Sequence, residues 1–493
     1  MKKLIILPLL PLIFCSLNAK DVVIYHTSDT HGYYFAEPDA KGRMSGGFAA
    51  LASFIKKDKA RHKAPYFLFD GGDFMQGNSE ANDSKGITSA KLFNALNYDA
   101  VAIGNHEFDF GPEALKKVIA ALNAKALAAN IIINDKVSPY FIFEKDGLKI
   151  AVIGIGRNND AKNKTFRVLD DRESFIKALG GVKRHNPSAI ILLVHGSNGD
   201  LRPYAASQDI VKDYEEDLAV VLNGHLHKER LQKIRGLLFV DPASNLEKVA
   251  KITLSFDKNN KFKKAKAKLI SLDVKKTGQD ERINALVEEI RNPFYGEHVG
   301  QTAEFMPYLP QSEKPKYLDC GVCEFVTDAV KKETGADISI QNTKMFRSFL
   351  PKGLVTKREF LKAMPYDNKV TLVKIKGSFI ENLILSSVRP DFSAFQFSGL
   401  EAKVFFDGEK AFGAEIKING RAIEREKVYT AAISDYLAFS EENEAKFFSA
   451  ISDLDKIKTD IGIRQIFQNS LNAQNGAGAP KGKRIKVVYV KNK

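Results

Sequence analysis

Between Asp21 and about Phe256, short apolar runs alternate with longer stretches of mixed pattern. The runs are Val22-Val23-Ile24, Tyr66-Phe67-Leu68-Phe69, Ala100-Val101-Ala102-Ile103, Ile150-Ala151-Val152-Ile153, Ala189-Ile190-Ile191-Leu192-Leu193-Val194 and Leu218-Ala219-Val220-Val221-Leu222. Unbroken apolar runs of this length predict strands buried on both faces. Most are followed closely by Gly, Asp, Asn or His, as strands feeding active-site loops would be. Helices are predicted between them over 47–57 and 112–122, the second opened by a proline in its first turn. The pattern implies an α/β domain with layered sheets.

The pattern changes after Thr277. Ile283, Leu286, Val287 and Ile290 fall on one face of a predicted helix over 280–291. Pro293, Gly296, Gly300, Pro307 and Pro310 then punctuate the chain, which reads as a linker helix followed by an extended connection. From Lys316 a second α/β unit is expected, with a helix over 321–333. Its strands are expected over 338–340, 370–375, 402–406, 415–418, 428–433 and 484–490. The expected organisation is a leader over 1–19, a catalytic domain over 20–272, a linker over 273–314 and a second domain over 315–493. No repeat relates the halves.

With 493 residues, 44% hydrophobic and 27% charged, the chain is ordinary globular material of two to three domains. Met1-Lys2-Lys3, an apolar stretch over 4–14 and Leu17-Asn18-Ala19 have the form of a secretory signal peptide cut near Ala19. Pro8 and Pro11 argue against reading that stretch as a core strand. A lipoprotein leader acylated on Cys15 is the alternative, opposed by the bulky Phe14 before it. Beyond the leader no apolar run reaches the ~18–20 residues of a membrane-spanning helix. The mature chain is expected in the periplasm or outside the cell, as a monomer. It keeps Cys320 and Cys323, a pair that can form a disulfide, bind metal or exchange thiols, with a structural role preferred.

A net charge of +14 invites nucleic acid or a membrane surface as partner. The lysines are spread along the chain, however, and the densest cluster, over 258–276, alternates with Phe262, Ala265, Ala267, Leu269 and Ile270. That is a half-solvated strand. The charge is read as a bias towards small anionic substrates, with no stable nucleic-acid partner.

The polar groups at the strand ends carry the chemistry. They are Asp29-Thr30-His31, Gly71-Gly72-Asp73, Gly104-Asn105-His106-Glu107 with Asp109, His195-Gly196, and Gly224-His225-Leu226-His227. Five of the nine histidines fall in this set, on the sheet edge where α/β proteins bind ligands. Carboxylate, imidazole and amide oxygen without thiolate suit hard-to-borderline divalent ions: Mn, Zn, Co, Fe, Ni or Mg. Two such ions bridged by a carboxylate clamp the attacking and leaving oxygens of an in-line displacement at phosphorus.

The order of these motifs resembles the calcineurin-like metallophosphoesterase superfamily. Leader, length and second unit narrow the resemblance to the bacterial periplasmic 5′-nucleotidase and UDP-sugar hydrolase family. It implies an N-terminal four-layer α/β/β/α metallophosphoesterase domain. A linker helix would join it to a C-terminal α/β substrate-binding domain of the 5′-nucleotidase type. By matching position it implies one ion held by Asp29, His31, Asp73 and His227, and another held by Asp73, Asn105, His195 and His225. Asp73 and a water activated to hydroxide would bridge the two. His106, oriented and kept charged by Asp109, would act on the phosphoryl group and the leaving oxygen. Asp70 is read as a partner behind the ligands and His26 as a structural hydrogen-bonding residue.

In the second domain the resemblance implies nucleoside recognition by Asn342, Arg347, Tyr366 and Phe447, with Phe448 beside it. The family's three glycines between the asparagine and the arginine are here Thr343-Lys344-Met345, and Ile is Phe346. Its glycine-rich turn is absent near Asp435. A further family arginine aligns with Leu318, and Lys316 is the nearest cation. The expected activity is hydrolysis of nucleoside 5′-monophosphates, with nucleotide sugars and 2′,3′-cyclic nucleotides as further candidates. The rival within enzymes is a phosphatase for another small phosphoester. The rival of another class is a basic anion-binding protein with a structural metal site, which would need no His106–Asp109 pair.

Overall fold

The first strands place their side chains alternately into two different cores, and this is why their sequences are apolar throughout. The computed structural model describes residues 20–39, 42–157, 166–196, 205–308, 320–389, 392–408, 410–441, 443–472, 478 and 484–490. The leader expected over 1–19, with Cys15, and the aligned positions Lys316 and Leu318 lie outside these residues.

Among the described residues thirteen strands build the two large sheets of the first half: β1 (Lys20–Thr27), β2 (Tyr66–Asp70), β3 (Ala100–Ala102), β4 (Lys125–Leu127), β5 (Val137–Ser138), β6 (Tyr140–Lys145), β7 (Leu148–Ile155), β8 (Ala189–His195), β9 (Val220–Gly224), β10 (Glu229–Ile234), β11 (Leu237–Pro242), β12 (Lys248–Phe256) and β13 (Phe262–Ser271). They form a seven-stranded sheet, β13-β12-β1-β2-β3-β4-β5, and a six-stranded sheet, β10-β11-β9-β8-β7-β6. Val22, Ile24, Phe67, Phe69, Ala100 and Ala102 face Ile150, Val152, Ile191, Leu193 and Leu222 between the sheets. The intervening Val23, Tyr25, Leu68 and Val101 pack outward against helices α1 (Phe48–Arg61), α2 (Ile87–Leu96) and α3 (Pro112–Ala121). On the other side Ala151, Ile153, Leu192 and Val194 pack against α4 (Asp171–Lys183). Helix, sheet, sheet and helix form the four layers.

β1 to β5 run parallel, as do β7, β8, β9 and β11. Thr27 pairs with Asp70, Asp70 with Val101, and His195 with Gly224, so the carboxyl ends of the central strands meet at one edge. The polar loops emerge there. The lysine-rich run becomes β13, at an outer edge of its sheet, with Lys264, Lys266 and Lys268 exposed. Lysines on an edge strand oppose pairing with another chain.

Helix α6 (Glu281–Ile290), after α5 (Ala205–Val211), is capped by Asp280 and packs Ile283 and Val287 into the core that contains α1. The helix expected as a linker is thus part of the outer layer of the first half.

The second half holds α7 (Gly321–Thr334), α8 (Lys357–Ala363) and strands β14 (Ile338–Asn342), β15 (Lys369–Lys376), β16 (Phe395–Ser398), β17 (Leu400–Phe406), β18 (Ala411–Ile418), β19 (Arg421–Ala422), β20 (Val428–Ser434), β21 (Lys456–Gly462) and β22 (Ile485–Tyr489). They form sheets ordered β16-β14-β20-β15-β21 and β19-β18-β17-β22. A disulfide joins Cys320 to Cys323 at the buried start of α7. Among the described residues no helix is long and apolar enough to cross a membrane.

Helix α8 connects the halves. Arg358 donates to Glu80 through both terminal nitrogens, at 2.5 and 2.6 Å, and its guanidinium lies 4.7 Å from the Phe35 ring. One turn on, Lys362 pairs with Glu37. Both contacts join the second half to the first, and a bidentate charged pair fixes orientation as well as distance.

Candidate metal centre

Six of the seven side chains expected as ligands converge at the strand edge, and the seventh, Asn105, follows a neighbouring strand. Asp29 and His31 follow β1, Asp73 follows β2, Asn105 follows β3, His195 ends β8, and His225 and His227 follow β9. Ligand atoms of Asp29, His31, Asp73 and His227 lie within 4.8 Å of one another, and so do those of Asp73, His195 and His225. Asp73 is common to both groups. His195 Nε2 is 3.1 Å from Asp73 Oδ2, and His227 Nε2 is 3.2 Å from Asp29 Oδ1.

The backbone is bent to achieve this. Asp29, His31, Asp73, His225 and His227 have φ of 51°, 45°, 60°, 87° and 52°. Non-glycine residues seldom adopt this left-handed region, and they cluster there at functional sites. Two glycines permit the close approach. A Cβ on Gly72 would stand 2.8 Å from Gly104 N, and one on Gly104 would stand 2.2 Å from Asp73 Oδ1.

Glu107, the residue after His106 in its motif, holds two of these loops together. Its carboxylate accepts from the backbone N–H of Asp73, Phe74, Met75 and Gly104 at 2.6–3.1 Å. Glu107→Gln offers an amide NH₂ where those N–H groups need an acceptor. Affinity for Mn²⁺, measured by titrating the metal-free protein, is expected to fall about 10- to 100-fold, the usual cost of losing a partner behind the ligands. Asp70 plays a similar part: it accepts from Gly72 N at 2.9 Å and from Thr27 Oγ1 at 2.7 Å. His26 is buried with Nε2 3.0 Å from Asn223 O.

The donor set fits a cation. Nδ1 of His31 lies 3.0 Å from Gln76 O and Nδ1 of His195 lies 2.7 Å from Gly71 O. Each Nδ1–H donates to a carbonyl, so each Nε2 lone pair turns into the cluster. His31 Nε2 and His227 Nε2 are only 3.1 Å apart. The two nitrogens are close enough for one cation to take a ligand from each ring. Asn105 Oδ1 is buried and meets no hydrogen-bond donor among the described residues. Burial raises the pKa of Asp29 and Asp73, but His227 beside the first and His195 beside the second hold both below the usual carboxylate range. Burial keeps His31 and His225 neutral, the form that donates a lone pair.

His106 belongs to neither ligand group. Its N–H donates to Asp73 Oδ1 at 2.8 Å and its Nδ1 lies 2.7 Å from Asp109 Oδ2. Burial opposes a charge on the ring, yet Asp73 and Asp109 together push its pKa up to about 10. His31, His106 and His227 open into a cleft of about 510 Å³ whose far wall comes from the second half and includes Tyr308, Arg347, Lys362 and Tyr366. Arg347 donates to Tyr366 Oη at 2.8 Å. Asn342 and Phe447 are not brought to this cleft. Phe447 packs edge-on against Phe395 at 5.6 Å, and Lys344, standing where the family has glycine, pairs with Glu444 at 2.8 Å. Tyr308, Lys362 and the aromatic residues Phe305 and Phe349 line the cleft without any local motif announcing them.

Two facing sheets with aspartates and histidines gathered at one edge define a metallophosphoesterase. The comparisons agree. Residues 22–229 match the calcineurin-like phosphoesterase family and residues 298–450 the C-terminal domain of 5′-nucleotidases. A 5′-nucleotidase of Vibrio cholerae is 24% identical over 476 residues, covering 85% of this chain and 84% of that protein. The endonuclease YhcR of Bacillus subtilis is 23% identical over 456 residues, covering 84% of this chain, which spans only 37% of that protein. A crystal structure of a 5′-nucleotidase precursor from Thermus thermophilus superposes with a TM-score of 0.81 at 18% identity, over 95% of this chain and 99% of that one. The chain thus carries a calcineurin-like phosphoesterase domain followed by a 5′-nucleotidase C-terminal domain, the make-up of a 5′-nucleotidase-like metallophosphoesterase, a hydrolase.

Proposed function

We propose that this protein hydrolyses nucleoside 5′-monophosphates at a centre of two divalent ions, after export directed by residues 1–19. The observation that carries the reading is Asp73 shared between two aspartate–histidine groups, with His106 hydrogen-bonded to it and facing the same cleft. Asp29, His31, Asp73 and His227 would hold one ion, and Asp73, Asn105, His195 and His225 the other. When bound, the pair would supply Lewis-acid polarisation of the phosphoryl group and a lowered pKa for water. The chain's own part is orientation and proton handling. His106, charged, would face the phosphoryl oxygens and give a proton to the departing alkoxide, and Asp109 would hold the ring in place. The test is phosphate release from nucleotides, nucleotide sugars and unrelated phosphoesters, with Mn²⁺, Co²⁺ or Zn²⁺ added to metal-free protein. No metal-dependent release from any nucleotide would refute the reading.

Arg347 would receive the substrate's negative charge. It is a cation in the cleft, and among the described residues its polar neighbours are the phenols of Tyr366, Tyr308 and Tyr33, with no carboxylate paired to it. Arg347→Ala is expected to raise KM for a nucleoside monophosphate about 10- to 100-fold, the worth of a charged hydrogen bond, with kcat little changed. A large fall in kcat at constant KM would move Arg347 from binding to chemistry.

One observation favours a second reading, a phosphatase for another small phosphoester. The segment that carries the family's glycines is here occupied by Lys344, tied to Glu444, and Asn342 is directed elsewhere than the cleft lining. The same substrate panel separates the two readings.

A further inference from the structure

The cleft that holds Arg347 also presents an aromatic pair. Phe305 and Phe349 both line it, with ring centroids 5.2 Å apart and planes tilted by 41°. Phe305 is 37% exposed and Phe349 half-buried. Their backbone is braced from beneath: Met306 N–H donates to Leu350 O at 3.0 Å and Leu350 N–H to Met306 O at 3.1 Å. The Met306 and Leu350 side chains are fully buried. The rings are therefore held on a fixed base while part of their apolar surface faces water, an arrangement that gains free energy when something planar and apolar covers it.

We propose that Phe305 and Phe349 form a platform for the planar, apolar part of the leaving group, an aryl or heterocyclic ring such as a nucleobase. The proposal rests on phosphoester hydrolysis at the metal centre. The cleft then has a direction: the phosphoryl group sits by His31, His106 and His227, its charge meets Arg347, and the remainder of the ester extends past that cation. Phe349 is two residues from Arg347, about 7 Å along an extended chain, which is within reach of one substrate. The cleft volume of about 510 Å³ lies inside the range that encloses molecules of that size. A polyol or a second phosphate would find its partners among the charged residues elsewhere in the lining, Arg43, Lys248 and Lys362, and would gain nothing from two ring faces. A heterocycle would gain stacking. Phe447, the ring nominated by the family resemblance, packs on Phe395 instead; the platform supplies the aromatic surface from other segments.

The test uses the full metal-loaded protein and three esters: a nucleoside 5′-monophosphate, p-nitrophenyl phosphate and glycerol phosphate. In Phe305→Ala and Phe349→Ala, the ratio of kcat/KM for each ring-bearing ester over that for glycerol phosphate is expected to fall about 5- to 100-fold, the range for losing one base–aromatic stack. The loss should lie in KM, and Phe349→Trp should restore most of it. A ratio within twofold of the unmodified protein in both alanine variants overturns the platform. Should Phe349→Ala fail to fold, Phe349→Leu keeps the bulk without the ring face and must still lose selectivity. If p-nitrophenyl phosphate is hydrolysed and nucleotides are not, the nucleotide reading fails while the nitrophenyl-to-glycerol ratio still decides the platform. Equilibrium binding of the unphosphorylated nucleoside needs no turnover at all, and it should weaken by the same factor.

Discussion

Replacing Asp73 by asparagine is expected to remove metal-dependent phosphate release below detection and to lower the bound metal from two ions to one or none per chain. The reason is charge and valency together. Asp73 is the one carboxylate present in both ligand groups, and although burial opposes its charge the neighbouring His195, His106 and His31 hold its pKa well below the usual carboxylate range. An asparagine offers one neutral oxygen and cannot bridge. Its amide nitrogen would also compete for the place where Asp73 now accepts from the backbone N–H of His106. Metal analysis of the dialysed variant, phosphate release with added Mn²⁺ and a thermal melt make the check. The melt matters because deleting a buried charge need not unfold the protein. Two ions with normal turnover would end the assignment of Asp73 as the shared ligand.

His106→Ala separates catalyst from ligand. The variant is expected to keep both ions and to lose about 10²- to 10⁴-fold in kcat, the range of acid–base contributions. The imidazole stands 5.3 Å, centroid to centroid, from His31 and is anchored to Asp109, so it adjoins the ligand cluster without belonging to it. Single-turnover rates at saturating nucleotide, read beside metal content, make the measurement. A collapse of metal content in this variant would show that His106 is a ligand. Asp109→Asn should fall between the two extremes, because the ring remains but loses the group that orients and charges it.

The aspartate–histidine cluster was legible because its residues closely follow apolar runs. Asp29, Asp73, Asn105 and His225 stand one to three positions past buried strands and His195 ends one, and parallel strands bring such positions to one edge. The strands themselves were legible because double-sided burial leaves no polar alternation to confuse them. Elements that pack on one face only were harder. The segments Glu229–Ile234 and Tyr140–Lys145 carry charges and aromatics in mixed order, and tertiary pairing with β11 and β7 makes them strands. Glu107 lay in plain view inside its motif, but local spacing does not tell that a carboxylate will face inward and gather four amides. The second-half wall was the least legible part. Phe305 and Phe349 are far apart in sequence and meet only because Met306 pairs with Leu350 across the connection. The family pattern pointed instead to Phe447 and Asn342, whose motif glycines this chain has exchanged for larger residues. With those glycines gone, residue spacing alone no longer fixes where the backbone turns.

The left-handed backbone at Asp29, His31, Asp73, His225 and His227 bears on the direction in which such a chain drifts. Each residue held there costs on the order of 1–3 kcal/mol, and five together rival the ~5–15 kcal/mol by which a domain outlasts its unfolded state. Glycine would occupy every one of these positions at less cost. A lineage released from the need to bind metal would therefore find many first steps towards inactivity that make it sturdier. For this protein, decay of the centre is downhill, and only selection for the reaction holds the five residues in place.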